Sequence, residues 1–500
     1  MANVKATDLI DFTRASKGHA LTKVSYGPEL VTNGGFDSGT DGWTNDRDAV
    51  LTVTDGKLNI ANSTNTYSGI LQEITLNSGG GTYDLELDYT KINSNARIAV
   101  GTTSGGNDLA DTSSIFSSGK QSVRFTATTE TAYIRIYVNS PTAGESITID
   151  NVSVKEVLFN QPDGTLQLSE FPNNTPRIEY DSDGNLLGLL IEESRTNTIL
   201  YSEDFENSYW AKAGGFSIYG NHGIAPDGKR TATLITDVDE DSYMVRGGGV
   251  ASNGQTKSIW ARTVSGTGKV TLLKHNSVSA ALFDLTEEWQ RFELPVDTSE
   301  SGGGSFYTID FRAAGTTLTE AYIWGAQLET GGFATSYIRS NSGSSTTRSS
   351  DIASMPIDFG YNLTEGTVTA TFQRMGIQSS GNDYVVQFYE AFDQRTAIYL
   401  NPTQDRTYSA QSTNQNNFNF GSPVTGQYTK IAYAFATNDF AGSQNGGTVL
   451  TDTVGTFDGT GHTTVQIGNN NGGEVFTGHL KSIQYIPKRL SNAKLQELSS

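Results

Sequence analysis

An all-β chain built of sandwich domains is what this sequence predicts, and three observations carry that prediction. Glycine outnumbers proline 54 to 11 in 500 residues, and Thr, Ser and Asn crowd the gaps between short apolar runs. Such a make-up belongs to many short strands joined by tight turns. Apolar residues alternate with period two in the longer runs: in Ala132–Val138, Ile134, Ile136 and Val138 fall on one face. Helical periodicity is confined to the C-terminal tail. The apolar share is only 35%, but 10% of residues are aromatic, and each buried ring removes about 150–250 Å² from water.

Length sets a prior of about three domains at roughly 150 residues each, and shifts in composition place them. Residues 1–27 are a polar leader, and residues 28–157 read as strands throughout. Near the end of that stretch Ile147 and Ile149 alternate, then Val152 and Val154, with a one-residue slip at Asp150-Asn151. The slip predicts a β-bulge, because it would otherwise turn the apolar set outward. Residues 158–197 form a connector rich in turn signals such as Pro162-Asp163-Gly164 and Pro172-Asn173-Asn174. Strands resume over 198–340, a polar linker follows at 341–350, and 351–500 is a third β domain.

The two middle sandwiches share landmarks. Phe36 is followed by Trp43, and Phe205 by Trp210; Gln121–Phe125 resembles Gln290–Leu294; the closing strands are Ile147–Val154 and Tyr322–Leu328. Spacings differ, so one fold used twice explains them better than a recent duplication. A core Trp near the first strand and a last strand returning beside it suit a jelly roll. All five Trp precede residue 325, so the third domain is a different sandwich. The tail Leu490–Leu498 is the one helix expected, with Ser491 as its cap, Leu490 stapled to Leu495, and Leu495 and Leu498 docked on the sandwich.

Charge and composition exclude several functions. The net charge is −20, which opposes nucleic-acid binding, since that rests on basic patches. Without cysteine there are no disulfides, thiolate metal sites or thiol nucleophiles. The five histidines are widely spaced. No Gly-x-Ser-x-Gly elbow frames a nucleophile, and the glycine runs lack the Lys-Ser/Thr of a phosphate cradle. No apolar stretch reaches the ~18 residues of a membrane span, and the first residues carry no signal-like apolar core. A non-enzymatic protein, not inserted in membranes and made in a cytoplasm, is expected.

Candidate sites are few. Tyr133, Arg135 and Tyr137 fall opposite the apolar face of their strand; rings beside a forked donor suit sugars, whose C–H faces stack while hydroxyls bond the guanidinium. A plain solvent-facing strand is the alternative. Trp43 serves as a sugar platform if exposed and as core if buried. Asp237, Asp239 and Asp241, with Glu240 between, could hold a structural Ca²⁺, the one cofactor considered; a solvated acidic loop is the competing account. Asp181-Ser182-Asp183-Gly184 starts like a calcium loop, but Leu190 stands where the bidentate Glu belongs, so an Asp-Gly hairpin turn fits better. Glu192-Glu193 point to opposite faces of a strand, so they are architectural rather than a glycosidase pair.

Several segments resemble bacteriophage head spike fibre and tail fibre proteins. These are Asp11–Ser16 (DFTRAS), Pro176–Tyr180 (PRIEY), Leu186–Asn197 (LLGLLIEESRTN), Leu200–Phe205 (LYSEDF), Ala225–Gly228 (APDG), Trp324–Thr330 (WGAQLET), Phe333–Ile338 (FATSYI) and Thr347-Arg348. They cover about a third of the chain, in the family's order. Residues 28–157 look like an inserted carbohydrate-binding jelly roll of the family 4/9 type. Tyr428–Phe435, the Asn445-Gly446 turn and Gly478–Leu498 resemble concanavalin A-like, laminin-G-like sandwiches. The resemblance implies a homotrimeric structural protein on the virion surface, on tail or capsid, assembled in the host cytoplasm beside other virion proteins. It would attach the particle to a host cell-surface glycan, and lysis would release it without a signal peptide. Two alternatives stay open: a decoration protein without receptor role, and an accessory carbohydrate-binding protein of a polysaccharide-degrading system.

Overall fold

The computed structural model describes residues 10–500 except 78–79, 113, 116–117, 240, 247–253, 273–281, 296–306, 312–314, 378–379, 392–393 and 412. The first part of the leader and Glu240 therefore lie outside the described residues. Strands dominate, and the one helix among the described residues is Asn492–Leu498. No described helix is long and apolar enough to cross a membrane.

The chain divides into two compact units, one of Thr22–Gln167 with Tyr219–Leu234, the other of Leu168–Ile218 and Ile235–Ser500 with the leader up to Leu21. The first unit holds a sandwich. In one sheet Gly119–Ala127, Gly81–Lys91 and Ser146–Phe159 lie side by side, and Lys57–Ala61 joins along Ser146–Ile149. The second sheet runs Thr44–Asp46, Gly69–Thr75, Thr131–Val138, Ala96–Gly101, Ala110–Asp111. Alternation dictates the packing between them: Ile134, Ile136 and Val138 meet Leu85, Leu87, Ile147, Ile149, Val152 and Val154 in one core. The ladder shifts between Asp150 and Ser153, where Asn151 adopts φ 51°. This is the expected bulge, and it keeps the valines facing inward.

The second unit contains two sandwiches. In one, a sheet runs Trp210–Ala213, Tyr243–Arg246, Thr308–Asp310, Gly268–Leu272, Leu282–Leu285, and an opposing sheet sets Gln255–Arg262 between Gln290–Pro295 and Ala321–Thr330. That last order repeats the Gly119–Ala127, Gly81–Lys91, Ser146–Phe159 order of the first unit. The landmarks repeat as well. Trp43 Nε1 donates to Asn33 O at 3.1 Å and Trp210 Nε1 to Tyr201 O at 3.0 Å. Each indole lies beside its phenylalanine, with centroids 5.8 Å apart for Phe36–Trp43 and 5.0 Å for Phe205–Trp210.

The C-terminal sandwich faces two seven-stranded sheets. Asp11–Thr13 of the leader pairs with Ile352–Pro356 at the edge of one, and Arg177–Tyr180 and Leu186–Ile191 extend the other through Gly478–Ile486. Leader and connector thus supply strands to this sandwich, and Phe12 and Ile191 sit in its core. Residues 341–350 include the short strand Thr346–Arg348, paired with Arg195–Asn197. Asp181 accepts from the backbone N–H of Asp183 and Asn185, closing the hairpin between the connector strands. Ser491 caps the helix, and Leu495 packs with Leu490 and Leu498 on Ala432, Ala434 and Ala441.

Candidate functional site

The outward face of the first unit's five-stranded sheet is where the structure places Tyr133, Arg135 and Tyr137. All three project from the central strand, opposite Ile134 and Ile136. Register sets their neighbours: Tyr137 stands between Gly69 and Arg97, and Arg135 between Leu71 and Ala99, with Asp111 beyond Ala99. Gly69 is needed there, because a Cβ would fall 2.5 Å from that of Tyr137.

Two guanidinium–carboxylate pairs flank the Tyr137 ring. Arg135 Nε donates to Asp46 Oδ2 at 2.5 Å and Nη2 to Tyr67 O at 3.1 Å. Arg97 Nε donates to Asp111 Oδ1 at 2.7 Å, and its Nη2 bonds the other carboxylate oxygen. The Arg135 guanidinium lies 4.0 Å from the Tyr137 ring centroid and that of Arg97 5.7 Å, an electrostatic attraction to the ring face. Burial raises the Tyr137 phenol, with Arg97 and Arg135 pulling it back. Hydrogen bonding to Glu73 raises that of Tyr133.

This arrangement differs from an open platform. Arg135 and Tyr137 are only 7% and 5% exposed; a side chain held in a salt bridge and under a ring is already spent on its neighbours. Tyr67, 40% exposed, and the half-buried Tyr133 are the rings that reach solvent, with Arg97 between them and Asp111 accessible. Trp43 takes the core position: it is 8% exposed and packed on Phe36, so it presents no platform. Sequence reasoning missed Arg97, Asp46, Asp111 and Tyr67. Each comes from a different strand or turn, and nothing local signals that they share a row.

The acidic cluster serves its own loop. Asp239 accepts from Ser242 Oγ at 2.6 Å, from the Asp241 N–H at 3.0 Å and from the Gly215 N–H at 3.2 Å. Those bonds, led by Ser242, lower its pKa. Asp237 accepts from Thr236 Oγ1 at 3.0 Å. Among the described residues no group of three His, Asp or Glu side chains converges to hold a metal ion.

Leader, connector and the segments around Ser336 and Arg348 instead meet in a buried ionic network in the second unit. Arg177 bridges Glu192 at 2.8 Å and Asp351 at 2.5 Å; Arg14 reaches Asp351 and Arg348 reaches Glu192, both at 3.1 Å. Arg14 also caps the carbonyls of Pro172 and Thr175. Ser336 donates its N–H and hydroxyl to Glu192, both at 2.6 Å. Burial alone would raise the Glu192 carboxyl; Arg348, Arg177 and the Ser336 bonds outweigh it and hold it at about 2. Glu193 turns the other way, onto Arg195 Nε at 2.6 Å, as adjacent strand residues must. Glu192 is thus architectural, not one of a catalytic pair.

No family model matches the chain, and no curated protein matches it. Among solved structures it is similar to the carbohydrate-binding module CBM40 of the Ruminococcus gnavus IT-sialidase bound to α2,3-sialyllactose. That likeness has 14% identity and TM-score 0.25, over 28% of this chain and 84% of the module. It is similar to domain 4 of AbnA, a GH43 extracellular arabinanase from Geobacillus stearothermophilus in complex with arabinotriose, at 14% identity and TM-score 0.25, over 30% and 73% of the two chains. The CBM22-1–CBM22-2 tandem of Paenibacillus barcinonensis Xyn10C is similar over 61% of this chain and 98% of its own, at 13% identity and TM-score 0.21.

Proposed function

We propose that this chain is a non-catalytic, glycan-binding structural protein of a bacteriophage virion, a fibre or spike of tail or capsid that attaches the particle to its host. The observation that carries the glycan reading is the outward face of the first unit's sheet, where the partly exposed Arg97 and Asp111 hold each other and the rings of Tyr67 and Tyr133 reach solvent. Clamped guanidinium and carboxylate groups present fixed donors and acceptors to vicinal hydroxyls, and Tyr67 and Tyr133 offer rings to the C–H face of a pyranose. The fibre reading is supported by the way the family-like segments build one ionic framework instead of a catalytic centre. In a homotrimer repeated on a virion, weak single-site affinity becomes strong avidity, and the −20 charge limits unspecific adhesion to an anionic envelope.

A glycan array probed with the full-length chain, together with Arg97→Ala/Tyr133→Ala, tests the adhesion. Binding to a defined glycan class, reduced about tenfold or more in the double variant at unchanged melting temperature, is expected. Equal binding by both proteins overturns the site, and silence across bacterial surface glycans overturns the adhesive function. Immunogold electron microscopy of intact virions tests the placement, and particles without label overturn the virion assignment.

A further inference from the structure

A cavity lies wholly within the second unit, and none of its lining residues belongs to the tyrosine row. It is a cleft of about 620 Å³ walled by Glu193, Ser194, Arg195, Thr196 and Thr198 of the connector, by Thr330–Gly332, and by Gly254 and Ile377. Its volume falls within the ~300–1,000 Å³ common for small-ligand sites. Most of the wall comes from the segments around Glu193–Thr198 and Thr330.

The chemistry of the wall selects the ligand. Glu193 and Arg195 neutralise each other through the 2.6 Å bond and a second contact to the same oxygen, so neither an anion nor a cation gains a net partner. Four hydroxyl-bearing residues, Ser194, Thr196, Thr198 and Thr330, line the cleft. Ser194 Oγ donates to Arg348 O and Thr198 Oγ1 to Leu328 O, each at 3.1 Å; a hydroxyl that donates keeps acceptor lone pairs, one of which Thr198 lends to Arg246 Nη1 at 3.5 Å. Arg195, though 7% exposed, has an Nη1 with no hydrogen-bond partner. Gly331 lets this guanidinium lie against the backbone, since a Cβ there would come within 1.6 Å of Nη1. At the rim Ile377 is 39% exposed, an apolar surface at the edge of a polar cavity. We propose that this cleft is a second binding site, for a neutral saccharide of one or two rings whose hydroxyls meet the Ser/Thr oxygens and Arg195 while a C–H face covers Ile377. It rests on the adhesive reading for its ligand class and is separate from the first unit's face in every residue.

Gly332 supplies the test, because a Cβ there meets nothing within 4 Å and its φ is ordinary. Gly332→Phe fills the cleft without straining the backbone. Saturation-transfer NMR on the full-length chain with maltose, cellobiose, lactose and N,N′-diacetylchitobiose reads binding, with thermal melting as the folding control. At least one disaccharide is expected to bind wild type and Arg97→Ala/Tyr133→Ala alike, and to weaken about tenfold in Gly332→Phe. Ile377→Ser, at the exposed rim, weakens it about threefold by the same logic. Binding unchanged in both cleft variants overturns the site. Binding lost only in the tyrosine-row variant overturns it too, while leaving the adhesive function standing. No transfer from any of the four sugars overturns the neutral-disaccharide assignment, and the glycan array then judges the adhesive function by itself.

Discussion

Asn151 and Gly325 hold the same backbone position in two different sandwiches. In each closing strand the ladder skips two residues against one, between Asp150 and Ser153 opposite Leu87, and between Trp324 and Gln327 opposite Ile259. The first skipped residue is left-handed in both, with φ 51° at Asn151 and 67° at Gly325. The next N–H then donates to the strand-opening segment: Val152 N to Gly34 O at 2.9 Å, Ala326 N to Ser202 O at 2.8 Å. The bulge frees that N–H from the ladder and aims it across, which ties the last strand to the Phe–Trp corner.

The two positions respond oppositely to a side chain. Gly325→Ala forces a Cβ into a left-handed residue 3.2 Å from the Trp260 ring and 3.3 Å from that of Tyr337, and is expected to cost about 1–2 kcal/mol. Asn151→Gly is tolerated within about 1 kcal/mol, because it relieves the left-handed backbone while adding unfolded-state freedom. Urea unfolding of both variants checks this. A Gly325→Ala protein as stable as wild type would refute the constraint.

The ionic network makes a larger prediction. Arg177, Glu192, Arg348 and Asp351 have side chains at most 1% exposed, and removing one partner from a buried pair strands the other charge. Asp351→Ala is expected to cost about 3–5 kcal/mol. Acid acts on the same network through Glu192. Its folded value near 2 lies below the ~4.3 of an unfolded Glu, so its contribution is complete above that value and lost as pH falls toward 2. If Asp351→Ala melts within a degree or two of wild type, the network is not what holds these segments.

How much of this was legible in the sequence follows from locality. Period-two alternation revealed the inner face of Ala132–Val138, and the slip at Asp150-Asn151 revealed the bulge, because both are encoded by neighbours. The tail helix was readable from Ser491 and its leucines for the same reason. Strand membership was not: that Asp11–Thr13 pairs with Ile352–Pro356, more than 300 residues away, depends on register across a sheet. The tyrosine row was legible by half, since its central strand shows it while Arg97, Asp46 and Asp111 arrive from three other strands. The cleft around Arg195 left no local signal, because its walls come from segments far apart in the chain.

His462 predicts an acid-side slope. It is buried beside Tyr361 and Phe457, with Nδ1 2.7 Å from the Tyr361 hydroxyl and no partner on Nε2. Burial depresses its pKa to about 4, against the opposing pull of Asp458. A depressed folded value gives stability that is complete above the unfolded ~6.5 and lost as pH falls through about 4. The loss amounts to about 3 kcal/mol. His462→Gln should flatten the denaturant-midpoint profile between those limits; an unchanged profile would show that the imidazole is not desolvated.

Asp383 predicts the opposite slope. Burial raises its carboxyl to about 7, with Glu193 and Glu474 adding to the rise and Arg374 opposing it. Arg374 is the strongest charge acting on it, but its Nη2 is committed to Asp405 and its Nη1 stands 4.0 Å from Asp383, so burial prevails. A raised folded value means that this residue costs nothing below the unfolded ~3.9 and destabilises as pH rises through about 7. Asp383→Asn keeps the shape and removes the charge. Relative to wild type it is expected to be neutral near pH 4 and more stable at pH 8, by on the order of 2–4 kcal/mol. The same comparison can fail: a gain equal at both pH values would mean that the carboxyl is ionised throughout and that Arg374 pairs with it after all.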